Sequence, residues 1–123
     1  ENWTYPLIQP KLIEKYLRVK NNSIIGATVT VTVDRPLGSY HPEYKDMYYP
    51  INYGYIEGVM APDGEEQDAY ILGVNEPVGK FTGKIIAIVH RKDDVEEKWV
   101  VVPDGMMFSK DEIRQQIYFQ EQY

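Results

Sequence analysis

The chain has 123 residues, 43% hydrophobic and 26% charged, the composition of one globular domain of ordinary size. Nineteen Asp and Glu against thirteen Lys and Arg leave a formal charge of −6, which removes the basic face that nucleic acids and anionic membranes call for. The lack of cysteine excludes disulfides, thiolate nucleophiles and Cys-based zinc sites, and two histidines, His41 and His90, are too few for a His-rich metal site. No apolar run approaches the roughly 18 residues of a membrane span.

The whole of 1–123 reads as a single domain, with 1–23 as an N-terminal extension. After Pro10, the spacing of Leu12, Ile13, Tyr16 and Leu17 suits a short helix near 10–18. From Thr28 to Val33 threonine and valine alternate, the period of a half-buried strand with Val29, Val31 and Val33 inward. Asp34-Arg35-Pro36-Leu37-Gly38 then carries turn chemistry, and residues 39–50 read as a loop or short hairpin. Tyr49 to Ile56 is a short aromatic strand. Its alternation sets Tyr49, Ile51, Tyr53 and Tyr55 on one face and Asn52 and Gly54 on the other, where the glycine permits a close backbone approach or a bulge. Ala69–Val74, Lys84–His90 and Trp99–Val102 are apolar strand-like runs. Ser109-Lys110-Asp111-Glu112 fits a capping box that opens a helix, with Ile113 and Ile117 stacked and Tyr118 or Phe119 widening the stripe. Five short strands without a long helix between them give a mainly β, α+β chain: a small antiparallel sheet or barrel with flanking helices.

The acid is not spread evenly. Asp63, Glu65, Glu66 and Asp68 precede one strand, and Asp93, Asp94, Glu96 and Glu97 precede Lys98 and another. Carboxylates held close together either keep a proton or recruit a cation. Oxygen ligands without Cys or clustered His select hard cations, commonly Mg²⁺, which is shared between carboxylates and substrate phosphates. The plainer reading of both segments is a pair of solvated charged loops.

Tyr49-Pro50-Ile51-Asn52-Tyr53-Gly54-Tyr55-Ile56, followed by Asp63-Gly64-Glu65-Glu66-Gln67-Asp68, resembles the soluble family I inorganic pyrophosphatases. Lys98-Trp99-Val100-Val101-Val102-Pro103 and Phe119-Gln120-Glu121-Gln122-Tyr123 resemble the family's later strand and C-terminal helix, so the likeness runs over 49–123. It implies an OB-like five-stranded antiparallel barrel and Mg²⁺-dependent hydrolysis of pyrophosphate, with Mn²⁺ as the alternative metal. It further implies a cytoplasmic homo-oligomer. In the site so implied, Asp63, Asp68 and Glu96 match metal ligands, and a further ligand falls on Asp93 or Asp94. Glu65 matches the residue acting on the attacking water, and Lys98, Tyr53 and Tyr123 match substrate-site positions. Arg35 joins Lys98 as a candidate for the charge of the leaving phosphate.

The chain departs from the family pattern at Glu65 and Glu96, where the family has aspartates, and in the 35–42 segment; Arg35, His41 and Lys45 are the basic candidates in and just after it. Three readings follow. One is a pyrophosphatase. The second is a divalent-metal or phosphate-binding member that lacks turnover or acts on another small phosphate compound. The third is an OB-type single-strand binder using Tyr53 and Tyr55 as stacking platforms, which the acidic charge disfavours.

Overall fold

Two apolar patterns run through the strands, and they separate walls covered on one face from walls covered on both. The computed structural model describes residues 3–4, 24–91 and 96–122. Its strands are β1 (Trp3–Thr4), β2 (Thr28–Arg35), β3 (Asn52–Met60), β4 (Glu66–Ile71), β5 (Lys80–Arg91) and β6 (Glu97–Val102), followed by helix α1 (Lys110–Glu121). The helix expected near 10–18 lies outside the described residues, as do Asp93, Asp94 and Tyr123.

The hydrogen-bonded order β5-β2-β3-β4-β6 returns to β5, which closes a five-stranded barrel, and β1 pairs with the far end of β5. Four of the barrel's seams are antiparallel, as expected. The fifth is not: β4 and β6 run parallel, with Asp68 beside Lys98 and Ala69 beside Trp99. No local pattern records strand direction, so the sequence could not show this.

Valines 29, 31 and 33 turn inward as the alternation predicts, and they meet Ile56, Ala69, Ile71, Ile85, Ile88, Trp99 and Val101 inside the barrel. The continuous runs of β4, β5 and β6 supply a second layer from their outer faces. Tyr70, Leu72, Ile86, Ala87, Val89, Val100 and Val102 pack against Ile113 and Ile117 of α1. A bulge between Ile85 and Ala87 lets both Ile86 and Ala87 join this outer layer.

Helix α1 opens with the expected capping box. The Ser109 Oγ accepts from the Glu112 N–H at 3.2 Å, and the Glu112 carboxylate accepts from the Ser109 N–H at 2.7 Å. Phe119, not Tyr118, widens the apolar stripe; Tyr118 is exposed.

Other boundaries shift in ways that matter for function. β4 starts at Glu66, so Asp68 is a strand residue and not part of a preceding loop. Glu97, expected on an acidic connection, is a buried residue of β6. The 39–50 segment is a short hairpin, bridged at Tyr40 and Tyr48 and closed by His41 N–H donating to the Met47 carbonyl at 2.9 Å.

Gly54 realises the close approach. A Cβ there would run into the Thr32 carbonyl and lie 2.8 Å from the Val33 Cα. Its neighbour Asn52 is fully buried and ties two loops to the barrel. Asn52 Oδ1 accepts from Leu37 N–H at 2.9 Å and Val78 N–H at 3.3 Å, and its Nδ2 donates to the Glu76 carbonyl at 2.9 Å.

Candidate functional site

The outer faces of β3, β4 and β6 share one row of polar side chains, because a residue and its cross-strand partner project to the same side of a sheet. Tyr55 pairs with Asp68, and Asp68 pairs with Lys98, across the β3–β4 and β4–β6 seams. At this end of the sheet the helix, the 39–50 hairpin and the end of β2 enclose a cavity of about 420 Å³. Its walls include Arg35 and Asp34 from β2, Tyr53, Asp68, Glu96 and Lys98, with His41 and Tyr49 above them. A second cleft adjoins it and shares Asp34 and Asp68; Glu65, Glu66 and Tyr55 line its other side.

Of the residues singled out from the sequence, the fold brings Tyr53, Asp68, Glu96, Lys98 and Arg35 to one cavity. Glu65 is one cleft away, joined to them through Asp68. Asp63 is exposed in the β3–β4 turn and lines neither cleft; its Oδ1 accepts from the Glu65 N–H at 3.0 Å and so shapes the turn. Gly64, at φ 87°, supplies the left-handed residue that this turn needs.

Lys98 is held between two carboxylates. Its ammonium donates to Glu121 Oε2 at 2.7 Å and to Glu96 Oε1 at 2.6 Å, with only 7% of its side chain exposed. Burial alone would make the ammonium easier to deprotonate, but the Glu121 and Glu96 carboxylates outweigh it and raise the pKa of Lys98. Lys98 thus stays a cation. Glu121 Oε2 also accepts from the Tyr70 hydroxyl at 2.6 Å. Gln120 Nε2 donates to the Tyr70 hydroxyl at 2.8 Å, and Gln120 Oε1 accepts from Tyr49 at 2.6 Å. Burial pushes the Tyr70 and Tyr53 hydroxyls well above the usual tyrosine range, with Glu121 and Asp68 adding to it, so both stay protonated.

Asp68 behaves in the opposite sense to a solvated aspartate. Burial pushes its carboxyl up to about 6, while the Tyr53 hydroxyl and Lys98 pull it down and Glu96 and Asp34 push it further up. Arg35 is spoken for on two sides: its Nη1 donates to the Asp34 carbonyl at 3.2 Å and lies 3.5 Å from the Asp34 carboxylate. Its charge also lies near the Tyr49 hydroxyl, where it opposes part of the rise that burial imposes on that group.

Sequence reasoning missed Asp34, Tyr49, Tyr70, Gln120 and Glu121 as site residues. Glu121 left a readable trace. It continues the buried stripe of Ile113 and Ile117 at the same four-residue step, and a carboxylate on an apolar stripe needs a buried partner.

Among the described residues no three acidic or histidine side chains form a ready metal cage. The donors still suit a hard cation. They are carboxylate oxygens, and Asp68 carries an ionisation penalty that an adjacent cation offsets. Mg²⁺ keeps most of its waters and needs only one or two carboxylates besides substrate oxygens, and Asp68, Asp34 and Glu65 along this open edge are donors of that kind.

The family model for inorganic pyrophosphatase matches residues 19–117. A curated inorganic pyrophosphatase of Halalkalibacterium halodurans is 28% identical over 103 residues, which cover 78% of this chain and 61% of that protein. The chain thus spans less than two-thirds of that relative's length. Among solved structures, the inorganic pyrophosphatase of Ehrlichia chaffeensis superposes with a TM-score of 0.59 at 20% identity, covering 80% of this chain and 82% of that one. That of Coxiella burnetii gives 0.58 at 19% identity, covering 80% and 78%. These two likenesses speak to the fold.

Proposed function

Because the chain belongs to the inorganic pyrophosphatase family, we propose that it hydrolyses pyrophosphate to two phosphates with the help of a divalent cation, Mg²⁺ before Mn²⁺. The observation that carries this reading is the meeting of Asp68, Glu96, Lys98, Tyr53 and Arg35 around one cavity, with Glu65 in the cleft beside it. A cation, when bound, neutralises phosphate oxygens and lowers the pKa of a coordinated water. Asp68, with Asp34 and Glu65 beside it, would hold that cation.

The chain's own groups then divide the work. Glu65 lies on the open side of Asp68, where its carboxylate takes the proton of the attacking water. The water oxygen bonds to one phosphorus as the bridging P–O bond breaks, and the electron pair stays with the departing phosphate. Lys98 and Arg35 stand in the main cavity, where that charge develops, and their fixed positions favour it without reorganisation. Tyr53 lines the same cavity beside Asp68, where its hydroxyl favours the ionised carboxylate.

Binding without turnover is a second reading, favoured by one feature: the single charge of Lys98 is already faced by two carboxylates, Glu96 and Glu121. Phosphate release from pyrophosphate separates the two. Release that requires Mg²⁺ and falls at least about 100-fold in Asp68→Ala supports hydrolysis. Release no higher than blank over about pH 7–9 with several divalent metals overturns it.

A further inference from the structure

The cations of the cavity are already committed to carboxylates, so a polyanion entering it needs further donors. The tyrosines do not supply them all. The Tyr53 hydroxyl faces the Asp68 carboxylate, whose ionised form it favours, and the Tyr49 hydroxyl donates to Gln120. His41 is different. It lines the same cavity, yet its internal hydrogen bonds use one ring nitrogen alone.

His41 Nδ1 accepts from two backbone donors of its own hairpin, the Glu43 N–H at 3.0 Å and the Tyr44 N–H at 3.1 Å. A ring nitrogen that accepts carries no proton, so the ring hydrogen resides on Nε2. The ring is also held in plane by its neighbours. Tyr44 lies against it with centroids 4.8 Å apart, and Tyr49 stacks at 6.5 Å with only 17° between the planes. Nδ1 is turned into the hairpin, which leaves the opposite edge of the ring for the cavity. Among the described residues no protein group accepts from Nε2.

We propose that His41 is a substrate-binding residue, donating its Nε2–H to a phosphate oxygen of the diphosphate in the Lys98 cavity. This deepens the pyrophosphate reading and rests on it for the identity of the ligand. The hairpin turn acts as a jig: two backbone N–H groups fix the tautomer, two aromatic rings fix the plane, and the free N–H is presented without a rotamer search. A fixed donor costs little entropy when it binds, which is how a neutral group can stand in for a flexible basic one.

The test uses two variants and one spectroscopic readout. His41→Ala removes both edges of the ring. His41→Asn keeps a side-chain acceptor for the Glu43 and Tyr44 N–H groups, in the manner of an Asx turn, but has no group at the Nε2 position. The proposal expects both variants to raise the pyrophosphate KM by about 10- to 100-fold, the loss of one hydrogen bond to a charged partner. If His41 only caps its turn, His41→Asn matches the wild type, and the proposal falls.

The full chain carries two histidines, so a ring-nitrogen NMR spectrum of the histidine-labelled protein contains only His41 and His90. Addition of imidodiphosphate with Mg²⁺ should shift the His41 Nε2 signal and leave His90 in place. The failures are distinguishable. Turnover with unaltered His41 variants overturns the proposal and leaves the hydrolytic reading standing. A His41 Nε2 shift in a protein without turnover supports the donor role and removes the hydrolytic reading. Imidodiphosphate that leaves the His41 ring signals unmoved overturns the proposal in either case.

Discussion

The Lys98–Glu121 pair offers the sharpest quantitative test of how the site is built. The ammonium and carboxylate lie 2.7 Å apart, with 7% and 1% of their side chains exposed. Substituting Lys98→Met leaves the Glu121 carboxylate inside with a single donor, the Tyr70 hydroxyl, because Oε1 has no hydrogen-bond partner among the described residues. Stranding one member of a buried pair costs about 3–5 kcal/mol. Glu121→Gln should cost less, about 2–3 kcal/mol, since Lys98 keeps Glu96 at 2.6 Å and that carboxylate reaches water. A chain of this length has about 6–18 kcal/mol of stability, so both variants remain folded. The double variant strands no charge, and its cost should fall short of the sum by about 2–3 kcal/mol. Urea unfolding followed by circular dichroism at about pH 7.5 measures all four corners of the cycle. A Lys98→Met cost below about 1 kcal/mol, or a double variant additive to within about 0.5 kcal/mol, would refute the buried-pair argument.

Two further outcomes follow from the same geometry. Asp68 holds its proton more tightly when folded, about 6 against an ordinary 3.8. Its contribution is therefore undiminished below about pH 4, where both states hold the proton, and is lost as pH rises from there through about 6, leaving a penalty at neutral pH. Solvent reaches part of this carboxylate, so the penalty is about 1–2 kcal/mol after screening. Asp68→Asn should accordingly stabilise the cation-free protein by about that amount near pH 7.5 and by nothing near pH 3.5, while turnover collapses; an equal gain at both pH values would show that ionisation is not the cause. Asn52→Ala strands the Leu37 and Val78 N–H groups and the Glu76 carbonyl, and should cost about 2–4 kcal/mol in the same urea assay. A loss under about 0.5 kcal/mol would mean that those loops do not depend on it.

Local chemistry was legible where one segment decides its own fate. The Ser109–Glu112 capping box and the inward valines of β2 each follow from residues a few positions apart, and both are found as read. The likeness spanning 49–123 placed Tyr53, Asp68, Glu96 and Lys98, and these do converge. What stayed hidden depends on partners distant in the chain. The parallel sense of β4 and β6 leaves no mark on either strand. Glu97 looked like one more solvated acid because its neighbours are charged, yet β6 begins there and carries it inside. Tyr70 reads as core from its own strand; only Gln120 and Glu121, arriving from the helix, make it part of a polar chain. Asp34 read as turn chemistry, and its place between two clefts came from barrel closure.

The parallel seam between β4 and β6 also bears on how the molecule comes into being. Asp68 and Lys98 meet only there, and β5, which lies between β4 and β6 in sequence, pairs with β2 and β6 rather than with β4. Such non-local pairings cost loop entropy before they return anything. The polar row thus exists only where that seam is closed, and a barrel that leaves it open holds the two acidic segments apart. Closing the seam and assembling the site are one event, so a species with an open barrel cannot gather those charges.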